Sequence, residues 1–210
     1  MAHTQRAVYE PALLAEIRRR LETPPSDKLT ILAVDGCGGA GKSILAEELS
    51  RVWGTEVVHT DDFASADIPI EWWPRMISEL LEPLRTRGRA TFVKHCWVTN
   101  GPGEAQTVVG PKVVIEGVSS SRREFRPFIT LSVWVETPRD VRLRRGLDRD
   151  GAEAASQWNE WMRQEDAYVI GHRPQLAADL VVCGVTGRLL ASRPRRRGTF
   201  SGGGPGQRAE

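Results

Sequence analysis

Residues 29–49 read LTILAVDGCGGAGKSILAEEL. An apolar, β-branched run ends at Val34, a glycine-rich turn follows, and apolar residues then recur at helical spacing, which is the strand, loop, helix order of a phosphate-binding loop. Within it Gly36, Gly41, Lys42 and Ser43 satisfy G-x-x-x-x-G-K-[ST]. Glycines let such a backbone turn its N–H groups inward, and the start of the next helix adds partial positive charge, so a polyphosphate is held by donors that cost no side-chain ordering. The cradle is expected to run over Gly36, Gly38, Gly39, Ala40, Gly41, Lys42 and Ser43. Lys42 would reach the β- and γ-phosphates, and the Ser43 hydroxyl would be one ligand of the Mg²⁺ that bridges them. The pattern predicts a nucleoside triphosphate as ligand without choosing among GTPases, motors and small-molecule kinases. A guanine-reading N-K-x-D is absent from the sequence, and a single domain is short for a motor.

The chain has 210 residues, 40% of them hydrophobic and 27% charged, which suits one domain and excludes collagen-like, wholly disordered and membrane-spanning classes. No apolar run approaches the roughly 20 residues that cross a bilayer. The start, MAHTQRAVYE, lacks the apolar core of a secretion signal, so a cytoplasmic protein is expected. Cys37, Cys96 and Cys183 form no C-x-x-C pair, which argues for reduced thiols and against a disulfide framework or structural zinc. The formal net charge is +2, yet residues 193–210, RPRRRGTFSGGGPGQRAE, carry five Arg against one Glu. The preceding body is therefore net acidic and offers no footprint for nucleic acid. The basic, Gly/Pro-rich tail is expected to be disordered, which leaves residues 1–192 as a single domain.

That body alternates β-branched runs with helical patterns, the signature of parallel strands covered on both faces by helices. Strands are expected at 29–34, 56–59, 90–93, 112–115, 130–135 and 180–183. Helices are expected at 11–21, 42–52, 73–86 with a possible kink at Pro83, 139–147 and 153–170. Between Phe92 and Val109 two β-like pieces flank a turn-rich TNGPG and read as a hairpin outside the main sheet.

Two acidic positions stand where open α/β sheets place their ligands, at the C-terminal ends of strands. The first is VVHTDDFA, with Asp61 and Asp62 adjacent; continued strand geometry would point their side chains to opposite sides. The second is VVIEG, where Glu116 follows an apolar run and suits a Mg²⁺-linked carboxylate better than an unpaired buried acid. Farther on, residues 139–150 hold five arginines on a helical pattern, suited either to neutralising phosphate or to pairing with Asp140, Asp148 and Asp150 along one helix.

In this order, DGCGGAGKS, TDDFA, VVIEGV and RLRRGLDRD resemble the motifs of the uridine kinase family and its relatives in the phosphoribulokinase and pantothenate kinase group of P-loop kinases. The resemblance covers roughly Leu29 to Cys183. It implies a P-loop NTPase three-layer α/β fold with a five-stranded parallel sheet, order 2-3-1-4-5, an acceptor-side hairpin and an Arg-rich lid. It also implies ATP- and Mg²⁺-dependent phosphoryl transfer to a hydroxyl of a small molecule, foremost a nucleoside such as uridine or cytidine. Asp61 then takes the hydroxyl proton and lies near the metal, Glu116 is a magnesium-site acid, Arg145 and Arg149 are catalytic lid cations, and Arg142 contacts the nucleotide. On the acceptor side the resemblance implies Glu71, His95, Trp97, Tyr168 and Arg173. Departures from the family pattern are Ala64 in place of a second aromatic after Phe63, Glu71 in place of a sugar-contacting Asp, and His95 and Cys96 where Tyr and Asp are frequent. They leave open another alcohol as acceptor, pantothenate or a specialised metabolite. A partner-regulated nucleotide switch, with Arg193 to Arg197 docking the partner, is the alternative of a different class, and a homo-oligomer is left open.

Overall fold

The computed structural model of the chain describes residues 8–22, 29–65, 68 and 72–193. Glu71 and residues 194–210, including most of the basic tail, lie outside the described residues.

The strands are β1 (Thr30–Asp35), β2 (Val57–His59), β3 (Arg89–Cys96), β4 (Gly101–Val109), β5 (Lys112–Glu116), β6 (Leu131–Glu136), β7 (Leu180–Cys183) and β8 (Leu189–Ser192). Six of them form the main sheet in the order β2-β5-β1-β6-β7-β8, while β3 and β4 pair only with each other. With the hairpin set aside, the five parallel strands have the expected order 2-3-1-4-5. The sheet differs from expectation by one strand: β8 returns antiparallel along β7 after a tight turn at 184–186. Its four residues, LLAS, are all exposed, and an exposed edge strand lacks the buried positions that mark the other five. Arg193, the first residue of the expected tail, belongs to the body: its guanidinium donates to the Gln175 and Ala178 carbonyls.

Helices cover both faces. On one side α1 (Pro11–Leu21) and α2 (Lys42–Trp53) bury Leu13, Ile17, Leu45 and Leu49 against Leu32, Val34 and Val114. On the other, Ile31, Val113 and Ile115 meet Met76, Leu80, Leu84, Phe92 and Phe125. Alternate residues of β1 and β5 thus feed two separate cores, as a fully covered parallel strand must. The segment after Trp72 is α3 (Trp73–Met76), a π-helical turn (Ile77–Leu81) and α4 (Glu82–Arg87). Pro83 has no N–H to return to the preceding turn and its ring crowds that turn's carbonyl; the wide π turn just before it makes the room.

The stretch expected to be an Arg-rich lid forms α5 (Arg139–Asp150), followed by α6 (Ala155–His172) and the short α7 (Pro174–Ala177). Gly146 of α5 is pressed onto the buried Trp158 of α6, so closely that a Cβ there would stand inside van der Waals contact of the indole. Alanine would favour the helix by about 1 kcal/mol, but overpacking against a fixed ring costs about 1–3 kcal/mol. Gly146→Ala is therefore expected to lower Tm by a few degrees in thermal unfolding. An unchanged or raised Tm would mean that α5 and α6 can part without loss.

Candidate functional site

The C-terminal ends of β1, β2 and β5 converge on the loop from Gly36 to Gly41. Gly36 and Gly39 carry φ of 148° and 74°, values that side chains rarely adopt. A Cβ at Gly36 would meet the Val135 carbonyl at 2.7 Å, and one at Gly39 the Arg142 carbonyl at 2.5 Å. Around the outside of the loop, the Arg145 guanidinium donates to the Gly39 and Ala40 carbonyls, the Thr137 hydroxyl to the Ala40 carbonyl, and the Tyr9 hydroxyl to the Gly41 carbonyl. With those carbonyls bound outward, the first turn of α2 presents its N–H groups to the concave side.

Lys42 is 7% exposed, and its Nζ donates to the Cys37 carbonyl at 3.1 Å and stands 4.0 Å from Glu116 Oε1. The Ser43 hydroxyl donates to the same carboxylate oxygen at 3.3 Å. The other oxygen, Oε2, lies 2.7 Å from Nδ1 of His59, which the parallel ladder sets directly beside Glu116. Burial alone would raise the Glu116 carboxyl, but the His59 bond and the Lys42 charge hold it below the ordinary range. The same hydrogen bond raises His59. Cys37, inside the loop, is buried and its thiol is pushed up to about 12 by desolvation, which fits an inert filler.

Asp61 and Asp62 do not continue the strand. Thr60–Asp62 is a 3-10 turn, in which neighbouring side chains are about 120° apart, so the expected opposition of the two carboxylates does not apply. Asp62 faces Lys94, with Nζ 3.5 Å from Oδ2. The Asp61 carboxyl has no hydrogen bond among the described residues. Desolvation in the cleft raises it, and the charges of Glu116 and Asp62 add to the rise while Lys42 and His59 oppose it. Arg149 feels the Asp61 charge from across the cleft; it is otherwise held by Asp150 and lies 5.6 Å over the Trp158 ring.

Of the other arginines expected to form a lid, Arg142 and Arg145 are engaged with the scaffold. Arg142 is buried, paired with Glu165 at 3.0 Å and donating to the Thr137 carbonyl. Arg145, besides its bonds to the loop, donates to the Gly184 carbonyl. Tyr168 places its hydroxyl on Asp35, and Arg173 is an exposed residue at φ 46° whose backbone ends α6 and starts α7. On the acceptor side, Trp97 donates its indole N–H to the Asp61 carbonyl at 3.2 Å and meets His95 edge to face at 4.8 Å. Nε2 of His95 is buried without a hydrogen-bond partner. Arg75 braces this wall by donating to the Asp62 and Val93 carbonyls while lying over Phe63.

Sequence reasoning missed three participants. His59 was visible as a polar residue in an apolar strand, but its register with Glu116 was not. Asp35 and Glu165 were hidden among ordinary acidic positions. Among the described residues no cluster of three or more His, Cys, Asp or Glu side chains could by itself enclose a metal ion.

By sequence, no protein-family model and no curated protein matches the chain. By structure it is similar to a possible uridine kinase from Bacillus stearothermophilus, at 22% identity and TM-score 0.57 over 79% of this chain and 98% of that one. It is also similar to a candidate fructose transport system kinase from Silicibacter sp. TM1040, at 19% identity and TM-score 0.58 over 80% of this chain and 93% of that one. The chain has the P-loop fold of these proteins.

His59 holds the Glu116 carboxylate; were Glu116 to serve a bound Mg²⁺, as proposed below, a residue that orients it would contribute about 10–100-fold to metal affinity. His59→Ala is therefore expected to raise the Mg²⁺ concentration for half-maximal nucleotide binding by about tenfold, with nucleotide affinity in the absence of metal changed less than about twofold. Titration of a fluorescent nucleotide at graded Mg²⁺ measures both; an unaltered Mg²⁺ midpoint would show that Ser43 and Lys42 suffice to hold the carboxylate.

Proposed function

We propose that the protein is a small-molecule kinase that moves the γ-phosphoryl group of ATP to an alcohol, with a nucleoside of the uridine or cytidine type as the first acceptor class. The observation that carries this reading is Asp61, a carboxylate not committed to the scaffold that shares the mouth of the phosphate loop with Lys42, Glu116 and His59. A simple ATPase would use such a base on water, but it has no need of the aromatic wall of His95 and Trp97 beside it.

The residues present fit ATP with Mg²⁺. The Gly36, Gly38 and Ala40 N–H groups, expected in the cradle, donate instead to Asp35, Glu165 and the Cys37 carbonyl. The start of α2 offers its N–H groups and a buried ammonium, and Glu116 with the Ser43 hydroxyl offers a partial oxygen shell, which suits an ion that keeps phosphate and water among its ligands. ATP would supply the transferable phosphoryl group and Mg²⁺ would offset charge on its oxygens. The chain's own residues do the rest by position and charge. The N–H groups at the start of α2 and Lys42 bind the phosphates, and Glu116, steadied by His59, holds the metal side. Asp61 accepts the proton of the acceptor hydroxyl at its free carboxylate, and Arg149 is the lid cation best placed to meet charge developing between them. Trp97 and His95 form an aromatic corner beside Asp61 that suits a flat ring, and the unpartnered Nε2 of His95 suits a polar atom on it. Ala64 is buried in the core under this corner and brings no ring to it, which favours a second reading in which the acceptor is another small alcohol.

Incubation with ATP, Mg²⁺ and a panel of nucleosides and other alcohols is expected to release ADP only with the right acceptor; acceptor-independent hydrolysis would favour the switch. Lys42→Ala should abolish the reaction and leave Tm within a few degrees. Asp61→Asn should keep ATP affinity and lower kcat by about 10²–10⁴-fold, whereas Asp62→Asn, whose carboxylate serves Lys94, should cost less than about tenfold. A more damaging Asp62→Asn would move the base to the neighbouring carboxylate. Because the Asp61 carboxyl is raised, the base is lost on acidification at a higher pH than a free aspartate would be. The acid limb of kcat/KM should lie correspondingly high and be absent from the residual activity of Asp61→Asn.

A further inference from the structure

The helix after α5 holds the front of the phosphate loop. Asp35, the last residue of β1, is fully buried and its carboxylate accepts five hydrogen bonds: from the Gly36 N–H at 2.7 Å, the Ser119 N–H at 3.0 Å, the Ser121 N–H at 3.0 Å, the Ser121 hydroxyl at 2.6 Å and the Tyr168 hydroxyl at 2.6 Å. Three residues before Tyr168 on α6, Glu165 accepts from the Gly38 N–H at 2.7 Å with one oxygen and from Arg142 at 3.0 Å with the other. Three and seven residues apart on a helix, Trp158, Glu165 and Tyr168 share one face. The Trp158 ring lies against Gly38, where a Cβ would meet it at 3.2 Å.

We infer that Tyr168, acting through Asp35, is a positioning residue for the phosphate cradle, and that Glu165 is a second tether from the same face of α6. The inference rests on the reading of residues 36–43 as a polyphosphate site. The two tethers fix Gly36 and Gly38, which flank Cys37, and the Cys37 carbonyl is the acceptor on which the Lys42 ammonium rests. The position of Lys42 and the orientation of the loop N–H groups therefore depend on a helix more than 120 residues away in sequence. The Tyr168 hydroxyl is directed at Asp35 and acts on the nucleotide side of the site, so its removal should leave acceptor recognition alone. Asp35 also holds the 119–121 turn that follows Glu116, so one carboxylate sets the phosphate loop and the loop beyond the metal-side acid together.

Tyr168→Phe deletes one oxygen and keeps the ring. Hydrogen bonds to charged groups contribute about 1.5–3 kcal/mol, and with four donors left on Asp35 the expected loss is about tenfold in affinity for ATP and for inorganic tripolyphosphate alike. The acceptor KM should stay within about twofold and amide exchange at Gly36 to Gly39 should accelerate. Glu165→Ala should lower the same two affinities, and if the unpaired Arg142 prevents it from folding, Tyr168→Phe alone decides. Arg163→Ala, an exposed change on the far side of α6, is the control. Tripolyphosphate affinity in Tyr168→Phe at the parent level, with Lys42→Ala abolishing it, would overturn the inference and leave the phosphate-loop reading standing. A parent chain that binds neither ATP nor tripolyphosphate would overturn both. A matching loss in acceptor KM would reduce Tyr168 to a general structural role and overturn the inference as well.

Discussion

A backbone that turns its N–H groups toward one point must satisfy its carbonyls on the opposite side, and here that demand organises the surroundings of the loop between β1 and α2. Tyr9, ahead of α1, Thr137, after β6, and Arg145 of α5 each donate to a loop carbonyl. Asp35 and Glu165 accept from the first N–H groups of the same loop. Elements from the start of the described chain to its last helices are thus joined by hydrogen bonds to about six buried or half-buried residues, where an unmade buried bond would cost about 1–3 kcal/mol. Of the three loop glycines at positive φ, Gly36 and Gly39 cannot be replaced without moving Val135 or Arg142.

The charges at the cleft are arranged in compensated steps. Lys42 and His59 offset Glu116, Lys94 offsets Asp62, and Arg142 offsets Glu165. Asp61 is the carboxylate left to titrate into the cleft, and its raised pKa is the consequence of desolvation beside two other acids. Compensation of the neighbouring charges leaves Asp61 as the carboxylate of the cleft without a cation of its own, the group proposed above for proton transfer.

Strand and helix placement, the phosphate loop and the separate hairpin were legible in the sequence because each depends on local pattern, whereas the 2-3-1-4-5 order of the parallel strands followed only from the family resemblance. Period-2 and period-3.6 apolar spacing reports burial directly. The loop motif is contiguous, so its residues stay together in any fold that forms it. That Glu116 closes a strand at its buried end was legible for a related reason: an acid directly after an apolar run is carried inward with it.

Contacts across the chain were not legible. The pairing of His59 with Glu116 follows from the register of β2 on β5, and register depends on how two distant strands slide against each other. The end of β2 in a 3-10 turn, which frees Asp61 and turns Asp62 to Lys94, follows from packing of Phe63 against Phe92 and Trp72, not from the run VVHTDDFA itself. The arginines of α5 look alike in sequence, and only the docking of α6 on Arg142 and of the phosphate loop and the 184–186 turn on Arg145 separates these two, held by the scaffold, from Arg149 at the cleft. What the sequence by itself determined was the set of elements and the phosphate loop, since local spacing encodes them. The tertiary structure alone decided which polar side chains face one another, because that depends on the three-dimensional approach of segments whose separation along the chain carries no information about it.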